Sequence, residues 1–476
     1  MLFNSFPFVL LVLVTFGLYY TPALRRWQVP LLSIASLVFY AYNQLNLLWL
    51  LLLSVSINIV ASYLVVYGNP QNRKFHATWG VVANLLILCF FKYGPLLGRT
   101  FLPADGSVGA WLVSLPLPIG ISFFTFQGIS LVVDTYRNRD VAAYRSLIAR
   151  NLAKHTQTVF FFKAFFPQLV SGPIVKAHDF LPQISAKFYR DIRWEYCFRT
   201  LVLGYFLKMV VADNLKDHTL MITYPYFENL SSFTLLVLLF GYSMQIFADF
   251  AGYSLIALGL AALFGYQFPI NFNFPYIASS FSDFWRRWHI SLSSFLREYL
   301  YIPLGGNRKG PFRTYVNLML TMILGGLWHG AAWSYAVWGF AHGLALAVER
   351  LLSDYGLFRV KSSAAVLLKS ILVFAYVTAA WLLFKLPEFH HALAYVKAIA
   401  TNLNKPHDSL SISFIALYSV PVVGYHLFEL ARQLRTTELG TTEPFLPRLH
   451  TALYSLMLFL IITNSGSGGE FIYFQF

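Results

Sequence analysis

A chain of 476 residues that is 57% hydrophobic and only 12% charged, against roughly 25% charged in soluble domains, excludes a water-soluble globular protein and describes a polytopic membrane protein. Its net charge of +15 belongs on basic loops facing an anionic lipid surface rather than on a nucleic-acid interface. Two cysteines, Cys89 and Cys197, supply neither a disulfide framework nor a metal-ligand spacing.

The first apolar run, "SFPFVLLVLVTFGLYY", lacks a basic leader and a small-residue cleavage site, so it reads as a retained helix. Arg25 and Arg26 follow it, the uncharged "YNQLN" follows the second run, and Arg73 and Lys74 follow the third. Basic, neutral, basic predicts an external N-terminus with the first and third loops in the cytoplasm. Continued along the chain, 136–154 and 431–448 are cytoplasmic and 401–409 is external, which leaves the C-terminus external too. About ten to twelve spans fit, at roughly 20 apolar residues each. The segment 161–184, with Pro167 and Pro173 among apolar residues and cations on both sides, is predicted to be re-entrant and buried in protein or lining a cavity. No tandem repeat or soluble domain interrupts this pattern.

The costly residues come next. Asp249, in "IFADFAGYS", sits in a long apolar run and is expected to pair with Arg286 or Arg287, or with a helix end. In 280–310, Phe284, Trp288, Leu292, Phe295 and Tyr299 recur at helical spacing, with Arg286, Arg287, Arg297 and Glu298 off that stripe. This predicts an amphipathic helix on the cytoplasmic interface, with His289 on it. The following "GGNRKG" offers flexible backbone with Asn307, Arg308 and Lys309 for phosphate oxygens, or is simply a basic turn.

Residues 315–348 as one helix would measure about 50 Å, too long for a hydrocarbon core of about 30 Å. A break is predicted at Gly325-Gly326, which leaves His329 inside the membrane. A histidine at that depth is a functional-site candidate, or a donor to a carbonyl freed by the break. His342, 13 residues on, is predicted to be structural or a pore-lining neighbour. The tail "GEFIYFQF" carries enough apolar surface to be a docking site for a partner, or an interfacial anchor.

Together these stretches resemble the membrane-bound O-acyltransferase family, in the bacterial branch that includes alginate O-acetylation proteins. The resemblance rests on "PIGISFFTFQGISLVVDTYR" (118–137), "FFPQLVSGPI" (165–174), "NFNFPYIASSFSDFWRRWHISLSSFLREYLYIPLGGNRKG" (271–310), "LGGLWHG" (324–330) and "WGFAHG" (338–343). It implies an all-α membrane fold in which transmembrane, re-entrant and interfacial helices ring a funnel. Within one membrane domain, 1–134 would be N-terminal helices, 135–348 the catalytic core and 349–476 C-terminal helices. The family's invariant histidine falls on His329 and its second recurrent histidine on His289. Where relatives commonly read Asp-Phe-Ser-Gly-Tyr-Ser-Asp, this chain has "DFAGYSL", so Ala251 and Leu255 replace a hydroxyl and an acid and Asp249 alone remains.

The chemistry such a site must do is acyl transfer from a thioester, which needs a base and donors for the developing oxyanion. Histidine, which titrates near neutrality, suits the first task; Trp328 and Tyr253 are candidates for the second. The resemblance implies acetyl-CoA as donor, no tightly bound cofactor or metal, and residence in the bacterial inner membrane. It also implies an extracytoplasmic partner, an SGNH-type acetyltransferase or a related exopolysaccharide-modifying protein. Peptidoglycan and teichoic acid acylation are neighbouring activities. A transporter or a scaffold of a secretion complex is the contrasting class, and no internal repeat of the transporter kind is present.

Overall fold

The computed structural model describes residues 1–103, 106–170, 172–356, 362–439, 447–469 and 471. All regular structure among them is helical. Among the described residues, five helices are long and apolar enough to cross a membrane: Leu45–Tyr67, Pro70–Phe101, Ser232–Leu263, Ser363–Lys385 and Ser409–Leu434. The pair Phe6–Tyr20 and Pro22–Tyr42, bent by 106°, is long and apolar enough only when its two helices are taken together. Further helices of spanning length, such as Ile121–Asn138, Pro311–His329 and Trp333–Asp354, carry more polar residues. The chain is a multi-pass membrane protein. It folds as two compact units, one of residues 1–201 with 256–269, the other of 202–255 with 270–476.

In the first unit, close helix packing depends on small residues, as it must where lipid removes the hydrophobic drive between helices. A Cβ on Gly80 would lie 2.6 Å from the Ala61 Cβ, so helices Leu48–Tyr67 and Arg73–Leu88 meet almost backbone to backbone. A polar seam runs through this contact. Lys163 Nζ donates to Ser54 Oγ at 2.6 Å, Ser54 Oγ donates to Asn84 Oδ1 at 2.9 Å, and Asn58 and Asn84 exchange amide hydrogen bonds. Each of these side chains is buried and hydrogen-bonded, as a low-dielectric interior requires.

The predicted irregular segment also lies in this unit. Helix Leu152–Ala164 ends before the single turn Phe166–Leu169; residues 172–176 are non-helical, and Ala177–Phe180 forms another turn. This backbone is buried among phenylalanine rings, with Phe161, Phe165 and Phe180 each 5.2–5.4 Å from Tyr266. Irregular backbone of this kind is tolerated only under such cover.

In the second unit, helices Pro311–His329 and Trp333–Asp354 form a hairpin. The long apolar run does break, but at residues 330–332 and not at Gly325-Gly326, which lie inside a continuous helix. The two glycines have a different job. A Cβ on Gly326 would sit 2.2 Å from the Tyr335 carbonyl oxygen, and one on Gly339 would sit 2.3 Å from that of Met322. The glycines let the two helices of the hairpin touch through their backbones, and within a membrane segment they do not need to interrupt the helix. At 19 residues the first arm is about 28 Å long, close to one hydrocarbon thickness.

The predicted single amphipathic helix of 280–310 is also divided. Helix Phe281–Arg287 stops, His289 adopts a left-handed conformation at φ 42°, and helix Ile290–Leu296 follows. Asn271 secures the break: its carbonyl accepts the Ile290 N–H at 3.0 Å and its Oδ1 accepts the Ser291 hydroxyl at 2.6 Å. The expected stripe survives, because Phe284, Trp288, Leu292 and Phe295 are all buried. Helix Phe281–Arg287 is capped from another element, as the Glu349 carboxylate accepts the N–H groups of Phe281 and Ser282.

Candidate active site

His329 is the last residue of its helix and His289 is the left-handed residue at a helix break, so each stands where regular backbone stops. Both are buried, and their ring centroids lie 6.2 Å apart. Aromatic faces surround them. Trp328 is 5.7 Å from His289 and 5.1 Å from His329, Trp338 and Phe384 are 5.2 and 5.3 Å from His329, and Phe250 is 4.6 Å from His289. Two buried imidazoles among aromatic rings are suited to passing a proton.

His342 is not one continuous helix away from His329, because the hairpin folds back. Both rings contact Trp338, which lies 4.6 Å from His342. His342 is packed among Phe284, Trp285 and Tyr376, and neither of its nitrogens has a hydrogen-bond partner among the described residues.

Asp249 does not pair with Arg286 or Arg287. Its Oδ1 lies 2.7 Å from Lys208 Nζ, which also binds Asp213 Oδ1 at 2.8 Å, and all three residues are buried. The arginines instead bind Asp283, Arg287 at 2.8 Å and Arg286 at 3.6 Å with most of its side chain in solvent. Lys208 lies in a π-helical stretch, Phe206–Ala212, against helix Ser232–Leu263. A Cβ on Gly252 would lie 2.8 Å from the Lys208 nitrogen, so the absence of a side chain there admits the bulged turn. Sequence reading overlooked Lys208, although a lysine in the apolar "FLKMVVAD" was the obvious counter-charge for an acid at similar depth.

Asn307, Arg308 and Lys309 are exposed in a turn whose glycines, 305, 306 and 310, all have positive φ. Helix Pro311–His329 stands between this turn and His329, about 28 Å of rise, so these residues do not touch the histidines. A ligand reaching both must be long.

The C-terminal segment is not a free tail. Asn464 O accepts from Asn214 Nδ2 at 3.0 Å, Gly466 N–H donates to the Met209 carbonyl at 2.9 Å, and Ser467 Oγ donates to Asp217 at 3.0 Å. Phe471 is buried, stacked on Tyr253 at 4.3 Å and 5.7 Å from Phe250, the ring that borders His289. The expectation of an exposed docking tail therefore fails at Phe471, which has an apolar pocket of its own to fill. Residue 470 and residues 472–476 lie outside the described residues. Tyr253, proposed from sequence as an oxyanion donor, is linked to His289 through two rings, Phe471 and Phe250.

Comparison with known proteins identifies the family. The sequence model of the membrane-bound O-acyltransferase family matches residues 122–382, a range that includes Lys208, Asp249, His289, His329 and His342. The chain is 38% identical over 396 residues to the probable alginate O-acetylase AlgI of Pseudomonas aeruginosa, covering 81% of this chain and 72% of that protein. It is 34% identical to the probable alginate O-acetylase AlgI of Pseudomonas putida across the whole of both chains. It is 35% identical over 390 residues to the peptidoglycan O-acetyltransferase of Helicobacter pylori, covering 77% and 73%. With a family match over more than half its length and full-length similarity to an alginate O-acetylase, this chain belongs to the membrane-bound O-acyltransferase family, in its AlgI-like branch.

Proposed function

We propose that this protein takes an acetyl group from a cytoplasmic thioester, acetyl-CoA, and passes it across the bacterial inner membrane for O-acetylation of an exopolysaccharide, alginate or cellulose. Final transfer to the polymer belongs to an extracytoplasmic SGNH-type acetyltransferase, and both termini of this protein face the periplasm. The observation that carries the reading is the pair of buried imidazoles, His289 and His329, 6.2 Å apart and enclosed by aromatic rings. The names of the relatives, alginate O-acetylase above all, support the acetyl group and the polymer class.

In the transfer step His329 accepts the proton of the incoming hydroxyl as its oxygen attacks the thioester carbonyl. The carbon–sulfur bond breaks, an oxygen ester forms, and the proton passes to the departing thiolate. His289 orients or relays that proton, and Trp328 donates its indole N–H toward the developing oxyanion. The exposed turn of Asn307, Arg308 and Lys309 binds the phosphates of the donor's long carrier arm.

His329→Ala should lower acetyl transfer by roughly a hundredfold or more, the usual contribution of a general base, while protein level and membrane insertion stay unchanged. The measurement is polymer acetyl content in cells, with labelled acetyl-CoA turnover by the purified protein alongside it. Near-normal acetylation in that variant removes His329 from the chemistry and favours a scaffold.

A further inference from the structure

Helix Ser363–Lys385 is a candidate membrane span, and Glu388 follows its end by three residues, at the start of helix Phe389–Thr401. There Glu388, His390 and His391 bring one ligand atom each to within 4.8 Å of one another. Glu388 Oε2 lies 3.4 Å from His390 Nε2 and 3.6 Å from His391 Nδ1. Bonds of about 2.0–2.1 Å in a tetrahedral zinc site place neighbouring ligand atoms about 3.4 Å apart, so two edges of the triangle already have the required length. We propose that these three residues form a zinc site at the rim of the membrane domain, separate from the histidines of the acyl-transfer chamber.

One of the ligands is held in place without a metal. The His391 ring stacks on Tyr224 at 4.3 Å and 11°, and its backbone N–H donates to the Glu388 carbonyl at 3.0 Å. The donor set also selects the ion. Two imidazoles and one carboxylate suit zinc, copper or nickel, whereas magnesium and calcium call for oxygen ligands. Three protein ligands leave a fourth position open, and it faces solvent, because Glu388 and His390 are mostly exposed. Water or a donor group from another molecule completes the coordination. The helix N-terminus bears a partial positive charge that opposes a cation, and the Glu388 carboxylate offsets it.

The test uses the full-length protein in detergent, purified through a tag that contains no histidine, stripped with a chelator and titrated with cobalt as the visible probe of a zinc site. A single equivalent of cobalt should bind with tetrahedral ligand-field bands. Zinc should displace it and magnesium should not. The double variant His390→Ala, His391→Ala should lose that equivalent, Glu388→Gln should weaken it, and His76→Ala, in the first unit, should keep it. Absence of a bound equivalent in the parent protein, or an equivalent retained in the double variant, overturns the site. Loss of the equivalent in His76→Ala as well would also overturn it, by showing general surface chelation.

Discussion

Both units bury polar side chains in apolar surroundings, yet they treat them differently. In the first, Lys163, Ser54, Asn58 and Asn84 bond to one another and tie three helices into a hydrogen-bonded seam. In the second, His289, His329 and His342 are enclosed chiefly by the faces of Trp328, Trp338, Phe250 and Phe384. A seam of saturated partners serves assembly. The imidazoles of His289 and His329, held at helix breaks between aromatic rings, are positioned for a reacting group. The contrast separates structural from chemical polar residues in a membrane interior, where each buried polar group requires a reason.

The Lys208 triad tests the contrast from inside the second unit, because it is a structural cluster beside the chemical one. Lys208→Met leaves Asp213 and Asp249 buried together without a cation, and should destabilise the protein by about 3–5 kcal/mol. Thermal unfolding in detergent measures this, and adding Asp213→Asn with Asp249→Asn should recover much of the loss. If Lys208→Met unfolds normally but cannot transfer acetyl, the triad belongs with the chemistry instead.

His289→Ala should do the reverse of Lys208→Met. Its turnover of acetyl-CoA should fall roughly a hundredfold, about 2.7 kcal/mol of barrier, with an unfolding temperature close to the parent's. Equal losses of stability and activity would make His289 only the residue that shapes the break.

The first unit should answer differently again. Asn84→Ala deprives Ser54 and Asn58 of their partner and should reduce stability by about 1–3 kcal/mol. Activity per folded molecule should not change. A specific fall in turnover without loss of stability would move the seam into the functional machinery.

The smallest effect concerns pH. His178 Nδ1 lies 2.8 Å from the buried Asp134 carboxylate, and that hydrogen bond raises the His178 pKa above its ordinary value, against the opposing effect of partial burial. A raised folded-state value means that this pairing contributes fully below about pH 6.5 and is lost as pH rises through the folded pKa. Unfolding temperature should therefore decline modestly over that window in the parent and less in His178→Asn. Parallel pH profiles for the two proteins would remove the pairing from the stability of the first unit.

Much of the site was legible in one dimension. A histidine in an apolar run, an acid in another, and aromatic residues at helical spacing each announce themselves, because the membrane interior makes any polar residue conspicuous. His329, Asp249, His289 and the stripe from Phe284 to Phe295 were found this way, and the resemblance gave His289 its place as the family's second recurrent histidine. The irregular 161–184 segment was legible from its prolines and flanking cations. The errors share one cause. Gly325-Gly326 was read as a break because the same residue type both interrupts helices and lets them touch, and the neighbour at Tyr335 and Gly339 that decides between these is supplied only by the hairpin.

Sequence by itself determined the class of this protein, its helices and its candidate reactive groups, since these follow from hydropathy, periodicity and the rarity of charge in apolar runs. Tertiary structure decided the partners. It alone set Lys208 rather than an arginine against Asp249, turned His289 inward at a left-handed residue held by Asn271, and folded Phe471 onto Tyr253. Local pattern specifies which face of a helix is apolar, but pairing between residues tens to hundreds of positions apart depends on how helices pack, and a one-residue break reorients a side chain without altering the spacing that precedes or follows it.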